Sequence, residues 1–254
     1  MLNGLAKLAP EGKMAIIQNG SPLFVGDAGS GPSEIRRYML ENDWLDAIIQ
    51  LPTDSFMNTG ISTYIWILDK DKPSYRAGKV QLIDASNCYK KRRKAIGDKR
   101  NDITDECRVL ITQAYNDFRN NSVYGDQNGV YCMSKIFETV DFGYNKITIE
   151  NPLLDDSGNI VIKANKPVAD SALRDSENVP FNEDIDAYFQ REVAPYFPDA
   201  WIDKKKTKVG YEIPMTRYFY KYKKPEDVKD IMSRLTSLEK DLSVSLKNLV
   251  KGDQ

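Results

Sequence analysis

The chain has 254 residues, 36 basic and 37 acidic side chains, three cysteines and no histidine. Without histidine there is no Ser-His-Asp or Cys-His nucleophile, no imidazole base and no His-containing zinc site. Cys88, Cys107 and Cys132 are odd in number, far apart and free of any C-x-x-C spacing, so neither a disulfide framework nor a thiolate metal site is expected, and a reducing cytoplasm is the natural setting. The apolar stretches are short and the N-terminus lacks a secretory pattern, which predicts a soluble chain with no membrane partner.

Short apolar runs alternate with amphipathic stretches over the first hundred residues, the pattern of a sheet covered by helices. Met14-Ala15-Ile16-Ile17 reads as a buried strand, and a helix follows from Pro32 and Ser33 until Asn42 stops it. Residues 45–51 and 64–68 are two further strands, joined by a loop too short for a crossover helix, hence antiparallel. Residues 80–84 add another. Next comes a charge run, in which Lys90, Lys91, Arg92, Arg93, Lys94, Lys99 and Arg100 stand against the single Asp98. Most such runs are solvated loops; the alternative is a surface that grips phosphates without reading sequence.

Thr104 is a helix cap before Cys107, Leu110, Ile111, Ala114, Tyr115 and Phe118, which share one face. Residues 144–163 read as a hairpin, with 146–149 and 160–162 on either side of an Asp-Asp-Ser-Gly-Asn turn. Asn182 is the expected cap of a short helix stopped by Pro195. Lys204, Lys205, Lys206 and Lys208 lead into Tyr211, Arg217, Tyr218, Phe219, Tyr220 and Tyr222, whose aromatics fit a half-buried strand better than a nucleic-acid surface. From Pro225 a last helix carries Val228, Ile231, Leu235, Leu238, Leu242 and Leu249 at heptad spacing, with Ser245 as the polar seam position. At ~1.5 Å per residue it reaches roughly 35 Å. Such a stripe is buried either on a partner helix or by folding back.

Several blocks carry a resemblance. They are Gly12 to Phe24 with its Gln18-Asn19-Gly20, then Glu34-Ile35-Arg36-Arg37-Tyr38, Leu51-Pro52-Thr53-Asp54-Ser55-Phe56, Thr59-Gly60-Ile61-Ser62-Thr63 and Asp84-Ala85-Ser86. A later group comprises Asn178-Val179-Pro180, Pro198 to Asp203 and Lys208 to Pro214. In order and spacing these resemble the methylation (M) subunit of type I restriction-modification systems, which are adenine-N6 DNA methyltransferases.

The resemblance implies the C-terminal half of a Rossmann-like methyltransferase sheet, mixed and with an antiparallel strand, over residues 1–100. An α+β extension follows over 101–224 and a coiled-coil-like helical tail for assembly over 225–254. It implies an aromatic face at Phe56 for a base turned out of the duplex, favoured over the alternative of a plug for the core, with Asn19, Thr59 and Gly60 in the loops beside it; Asn19-Gly20, with Gln18 where the family has Pro, reads first as a plain strand-to-loop turn. It also favours DNA contact by the run from Lys90 to Lys94. DNA, a specificity (S) subunit and a restriction (R) subunit are the implied partners.

The family's S-adenosylmethionine loop and its Asn-Pro-Pro-aromatic tetrapeptide do not occur in this sequence. The glycines at 26, 29 and 31 follow a strand, but in the order G-x-x-G-x-G, and read as a surface loop. The expectation is therefore the C-terminal portion of a longer subunit, with the cofactor belonging to the whole subunit, none bound here, no metal, no catalytic group and no activity alone. The truncated sheet edge is expected to be covered by the extension or by self-association. The rival reading is a non-catalytic DNA-binding or assembly module with a methyltransferase-like half-fold. All of this requires the strands at 14–17, 45–51 and 64–68 to lie in one sheet.

Overall fold

The computed structural model describes residues 1–222 and 224–251. They fall into two units, Met1–Met215 and Thr216–Gln254. The first begins with α1 (Leu2–Lys7), β1 (Lys13–Asn19), α2 (Ser21–Phe24), α3 (Gly31–Glu41), β2 (Leu45–Gln50), β3 (Thr63–Asp69) and β4 (Lys79–Asp84). It continues through β5 (Lys90–Ile96), β6 (Lys99–Asp102), α4 (Asp105–Asp117), β7 (Ser122–Gly125) and β8 (Tyr131–Glu138). Six of these strands form one mixed sheet in the order β1-β3-β2-β4-β8-β7.

The three strands that the sequence required to share a sheet do so. β3 lies between β1 and β2 and is antiparallel to both, whereas β2 and β4 are parallel. β2 is buried from Leu45 to Ile49, as a strand covered on both faces must be, and its near-continuous apolar run reflects that. β1 sits at the sheet edge and alternates exposed and half-buried residues.

One charged group interrupts the β2 run. Asp46 is fully buried and receives Arg76 through Nε at 2.7 Å and Nη2 at 3.1 Å, while the Tyr115 hydroxyl donates to it at 2.6 Å. Arg76 also donates to Gln81, which in turn reaches the Ala114 carbonyl and Ser134. The guanidinium lies 4.5 Å from the centroid of the Tyr115 ring and 4.1 Å from that of Phe118. A buried pair is tolerated when its remaining donors and acceptors are satisfied, and this network joins β2, β4, β8 and α4. α4 starts as expected, with Thr104 Oγ1 accepting from the Cys107 amide.

The second sheet centres on β9 (Gly143–Pro152), flanked by β12 (Ala169–Pro180) and by the short β13 (Trp201–Ile202) and β14 (Lys208–Tyr211). This corrects the expected hairpin. β9 pairs with β12, not with residues 160–162, and the Asp-Ser-Gly turn closes only a Leu154–Ile160 bridge. The chain then makes a small hairpin, β10 (Ile162–Lys163) with β11 (Lys166–Pro167), before returning as β12. α5 (Ile185–Glu192) packs Phe189 against Ile147, Ile149 and Val179, with Val193 just beyond its end in the same cluster. Its cap is Asp184, which accepts from the Ala187 amide, and not Asn182.

Two sequence blocks quoted above meet here. Arg36, 2% exposed, donates to the carbonyls of Tyr211, Pro22 and Val25, and Ser33 Oγ accepts from the Tyr211 amide. The segment at 208–211 is thereby fixed to α3, and the six-stranded sheet itself extends past residue 100 into β7 and β8.

In the second unit, α6 (Met215–Phe219) opens at the unit boundary, so the aromatic stretch is helical there and not a strand; Tyr220 and Tyr222 are exposed. α7 (Val228–Lys251) follows, with Val228, Ile231, Leu235, Leu238 and Leu242 all exposed. The side chain of Leu249 lies outside the described residues. Among the described residues no helix is long and apolar enough to cross a membrane.

Candidate nucleic-acid interface

The loop between β2 and β3 is held tightly for its length. The Ser55 hydroxyl donates to the Pro52 carbonyl at 2.9 Å, the Leu51 amide donates to Thr63, and Phe56 and Thr59 form a bridge. Asp54 has a φ of 55°, and its Oδ1 sits against Gly60, 2.8 Å from where a Cβ would be.

Phe56 is half-buried and faces two environments. It packs against the core cluster that contains Ile49, Leu51, Ile83 and Ala85, and it lines an open cleft of about 560 Å³. Asn19 and Thr59 line the same cleft, with Ile17, Met57 and Ile61 as apolar walls. The structure therefore brings three of the four expected loop residues together, whereas Gly60 does not line the cleft and sits against Asp54. Asn19 also has the turn role, its Oδ1 accepting from the Ser21 amide at 3.1 Å.

The basic run is a β-hairpin, not an irregular loop. Lys90 pairs with Asp102, Lys91 with Asn101 and Ile96 with Lys99, and Gly97 turns the chain at a φ of 58°. Sequence reasoning missed this because Lys and Arg are weak strand formers; the Gly97-Asp98 step was the available signal.

The hairpin is docked on the Phe56 loop through backbone groups. The Arg100 and Asn101 amides donate to the Asp54 carbonyl at 2.9 and 3.0 Å, and the Asp98 amide donates to Met57 at 2.9 Å. Asn101, 6% exposed, adds a side-chain bond to the Thr53 carbonyl at 2.9 Å.

Three of the seven cations are neutralised: Arg92 and Lys99 by Asp102, and Lys90 by Glu106. The Arg92 hydrogen bond holds the Asp102 carboxyl below its ordinary range, and the Glu106 bond raises Lys90. Lys91, Arg93, Lys94 and Arg100 have no ion pair among the described residues. Lys91, Arg92 and Arg100 line a cavity of about 480 Å³ whose floor includes Thr53 and Asp54. The start of one loop thus borders a basic cavity, and its tip borders the cleft of Phe56.

Comparison with known proteins decides the family. The model for N-6 DNA methylases matches residues 1–151. The chain belongs to that family. It is 33% identical over 106 residues to the MjaIX methylase subunit of a type I restriction enzyme from Methanocaldococcus jannaschii, covering 42% of this chain and 18% of the relative. The HindI methylase subunit of Haemophilus influenzae is 28% identical over 134 residues, covering 52% of this chain and 28% of the relative. Among solved structures, the type I methyltransferase subunit of Streptococcus thermophilus matches at 26% identity with a TM-score of 0.44, over 56% of this chain and 26% of that one. The chain thus spans less than a third of the length of these relatives.

An N-6 methylase uses S-adenosylmethionine, and among the described residues the glycine loop ahead of α3 is the segment to test as a cradle for it. The fit fails. The Gly29 amide is bonded to the Val209 carbonyl, Asp27 is paired with Lys146, and a Cβ at Gly26 would meet Ser30 and Pro32 at 2.5 and 2.9 Å. These glycines serve packing of α3 against β14, so no step through the cofactor is derived from them.

Proposed function

We propose that this chain is the C-terminal portion of a type I adenine-N6 DNA methyltransferase subunit, supplying contacts to the target base and DNA backbone and docking to the specificity subunit. The observation that carries the reading is the single loop of an N-6 methylase with an aromatic-lined cleft at its tip and a basic hairpin clamped to its base. Phe56 stacks on the displaced adenine, a contact worth about 1–3 kcal/mol. Asn19 and Thr59 shape the cleft, Gly60 lies in the same loop as Thr59, and cations from Lys90 to Lys94 neutralise phosphates. Methyl transfer belongs to the whole subunit, because the sequence holds neither the cofactor loop nor the tetrapeptide that grips the adenine amine.

The apolar stripe of α7 is the surface for long helices of the specificity subunit, since an exposed stripe of this kind marks a partner. The edge of β1, unpaired on one side among the described residues, is the surface for strand pairing with the rest of the subunit or with a second copy. The restriction subunit joins through the complete assembly, and a cytoplasmic location follows from the DNA substrate.

The test is fluorescence anisotropy of a labelled duplex with the 254-residue chain across a salt series. Affinity that falls with salt at a slope of several phosphate contacts supports the reading. Salt-independent or absent binding overturns it, and heat of S-adenosylmethionine binding by calorimetry at micromolar affinity overturns the claim that the chain is silent alone.

A further inference from the structure

Resting on the DNA reading above, we propose that the cavity under the β5–β6 hairpin is a seat for one backbone phosphate, held by Lys91 and Arg100. The hairpin then transmits that contact to the loop of Phe56. Backbone binding and base capture are in this view one event, joined by hairpin residues 98–101.

The charge arrangement singles out these two cations. Arg92 at the same cavity is already held by Asp102 through Nη1 at 2.6 and 2.7 Å, so its charge is largely spent. Lys91 and Arg100 line the cavity with no carboxylate within ion-pair distance among the described residues, and Asp54, the one acid in the lining, has its Oδ1 against Gly60. Two uncompensated cations lining one concave site attract an anion, and the arginine offers a fork of donors to a phosphate oxygen pair. Arg93 and Lys94 do not line the cavity; they are surface charge on the outer part of the hairpin.

The coupling rests on hydrogen bonds already described. Those from Asp98, Arg100 and Asn101 end on Thr53, Asp54 and Met57, which lie on both sides of Phe56 in sequence. Anything that shifts the hairpin shifts the ring. Gly97 permits this close approach, because a Cβ there would collide with the Met57 carbonyl oxygen.

The experiment uses the 254-residue chain and a fluorescein-labelled duplex carrying 2-aminopurine opposite an abasic site. Anisotropy across salt reads phosphate contacts, and 2-aminopurine emission at saturating protein reads stacking, with Phe56→Ala defining its loss. Lys91→Ala/Arg100→Ala is expected to lower the salt slope by about 1, weaken binding several-fold and abolish the emission change. Arg93→Ala/Lys94→Ala is expected to weaken binding while leaving the emission change intact. Gly97→Ala, or Asn101→Ala should Gly97→Ala fail to fold, is expected to keep the salt slope and lose the emission change.

An unchanged slope in Lys91→Ala/Arg100→Ala overturns the phosphate seat. A full emission change in that variant or in the folded hairpin variant overturns the coupling. Both results leave the DNA reading standing, whereas wild-type chain that shows no salt-dependent binding brings down that reading and this inference together.

Discussion

The interior of the six-stranded sheet and the β5–β6 hairpin treat charge in opposite ways. In the sheet, Asp46 and Arg76 are buried and every strong contact they make is internal. In the hairpin, four of seven cations meet no acid among the described residues, and the anchor to the Phe56 loop is made of backbone carbonyls. Charge that is buried and paired specifies structure, while charge left exposed and unpaired remains available to a ligand. Glu150 of β9 lies between these extremes: its carboxylate is buried, but its partners Arg174 and Lys206 are about half-exposed.

The sharpest way to break the contrast is Arg76→Ala. It leaves Asp46 buried without its partner and is expected to cost about 3–5 kcal/mol, measured as the shift in a urea unfolding midpoint. Asn101→Ala removes the part-buried side-chain bond to the Thr53 carbonyl that helps seat the hairpin, for an expected loss of about 0.5–1.5 kcal/mol in the same titration. Thr104→Ala removes the α4 cap and is expected to cost about 1 kcal/mol, with Thr104→Ser restoring most of it.

Glu150 sharpens the intermediate case through pH. Burial raises its carboxyl, but the Lys206 and Arg174 bonds outweigh burial and hold it below the ordinary value of 4.5. A depressed carboxylate contributes stability that is complete above the unfolded value and is lost as pH falls through the folded one. Wild-type protein is expected to lose stability below about pH 4.5 more steeply than Glu150→Gln, as followed by thermal melts from pH 6 to 3. Smallest of all, Arg93→Ala/Lys94→Ala is expected to change stability by less than about 0.5 kcal/mol; a larger effect would mean that these cations are structural after all.

How much was legible in the sequence follows the same division. β1 to β4 were readable because strands buried in a sheet show as short apolar runs, and the antiparallel β2–β3 pair followed from loop length. β12 was not readable, since most of its residues are polar and exposed and no alternation marks it. The Asp155 to Asn159 turn therefore drew the pairing to its nearer neighbour. Asn182 and Asp184 are both good caps, and only the position of α5 chose between them. Asp46 gave no sign of its role, because its partner Arg76 is 30 residues away and reaches it only in the folded sheet. Of the candidate site, Asn19, Phe56 and Thr59 were named through the family resemblance and line one cleft, but the hairpin that clamps the Phe56 loop was hidden in a run that reads as solvated charge.

The three thiols supply a built-in reporter of these differences. Cys88, Cys107 and Cys132 are fully buried in one cluster to which α4 contributes Cys107, and the contact with Cys132 together with burial pushes the Cys88 thiol up. Thiolate is the reactive form, so folded protein is expected to resist alkylation until that cluster opens. A pulse of maleimide followed by mass measurement would then clock the opening of the region around α4 without any engineered probe, and would do so in a crude lysate.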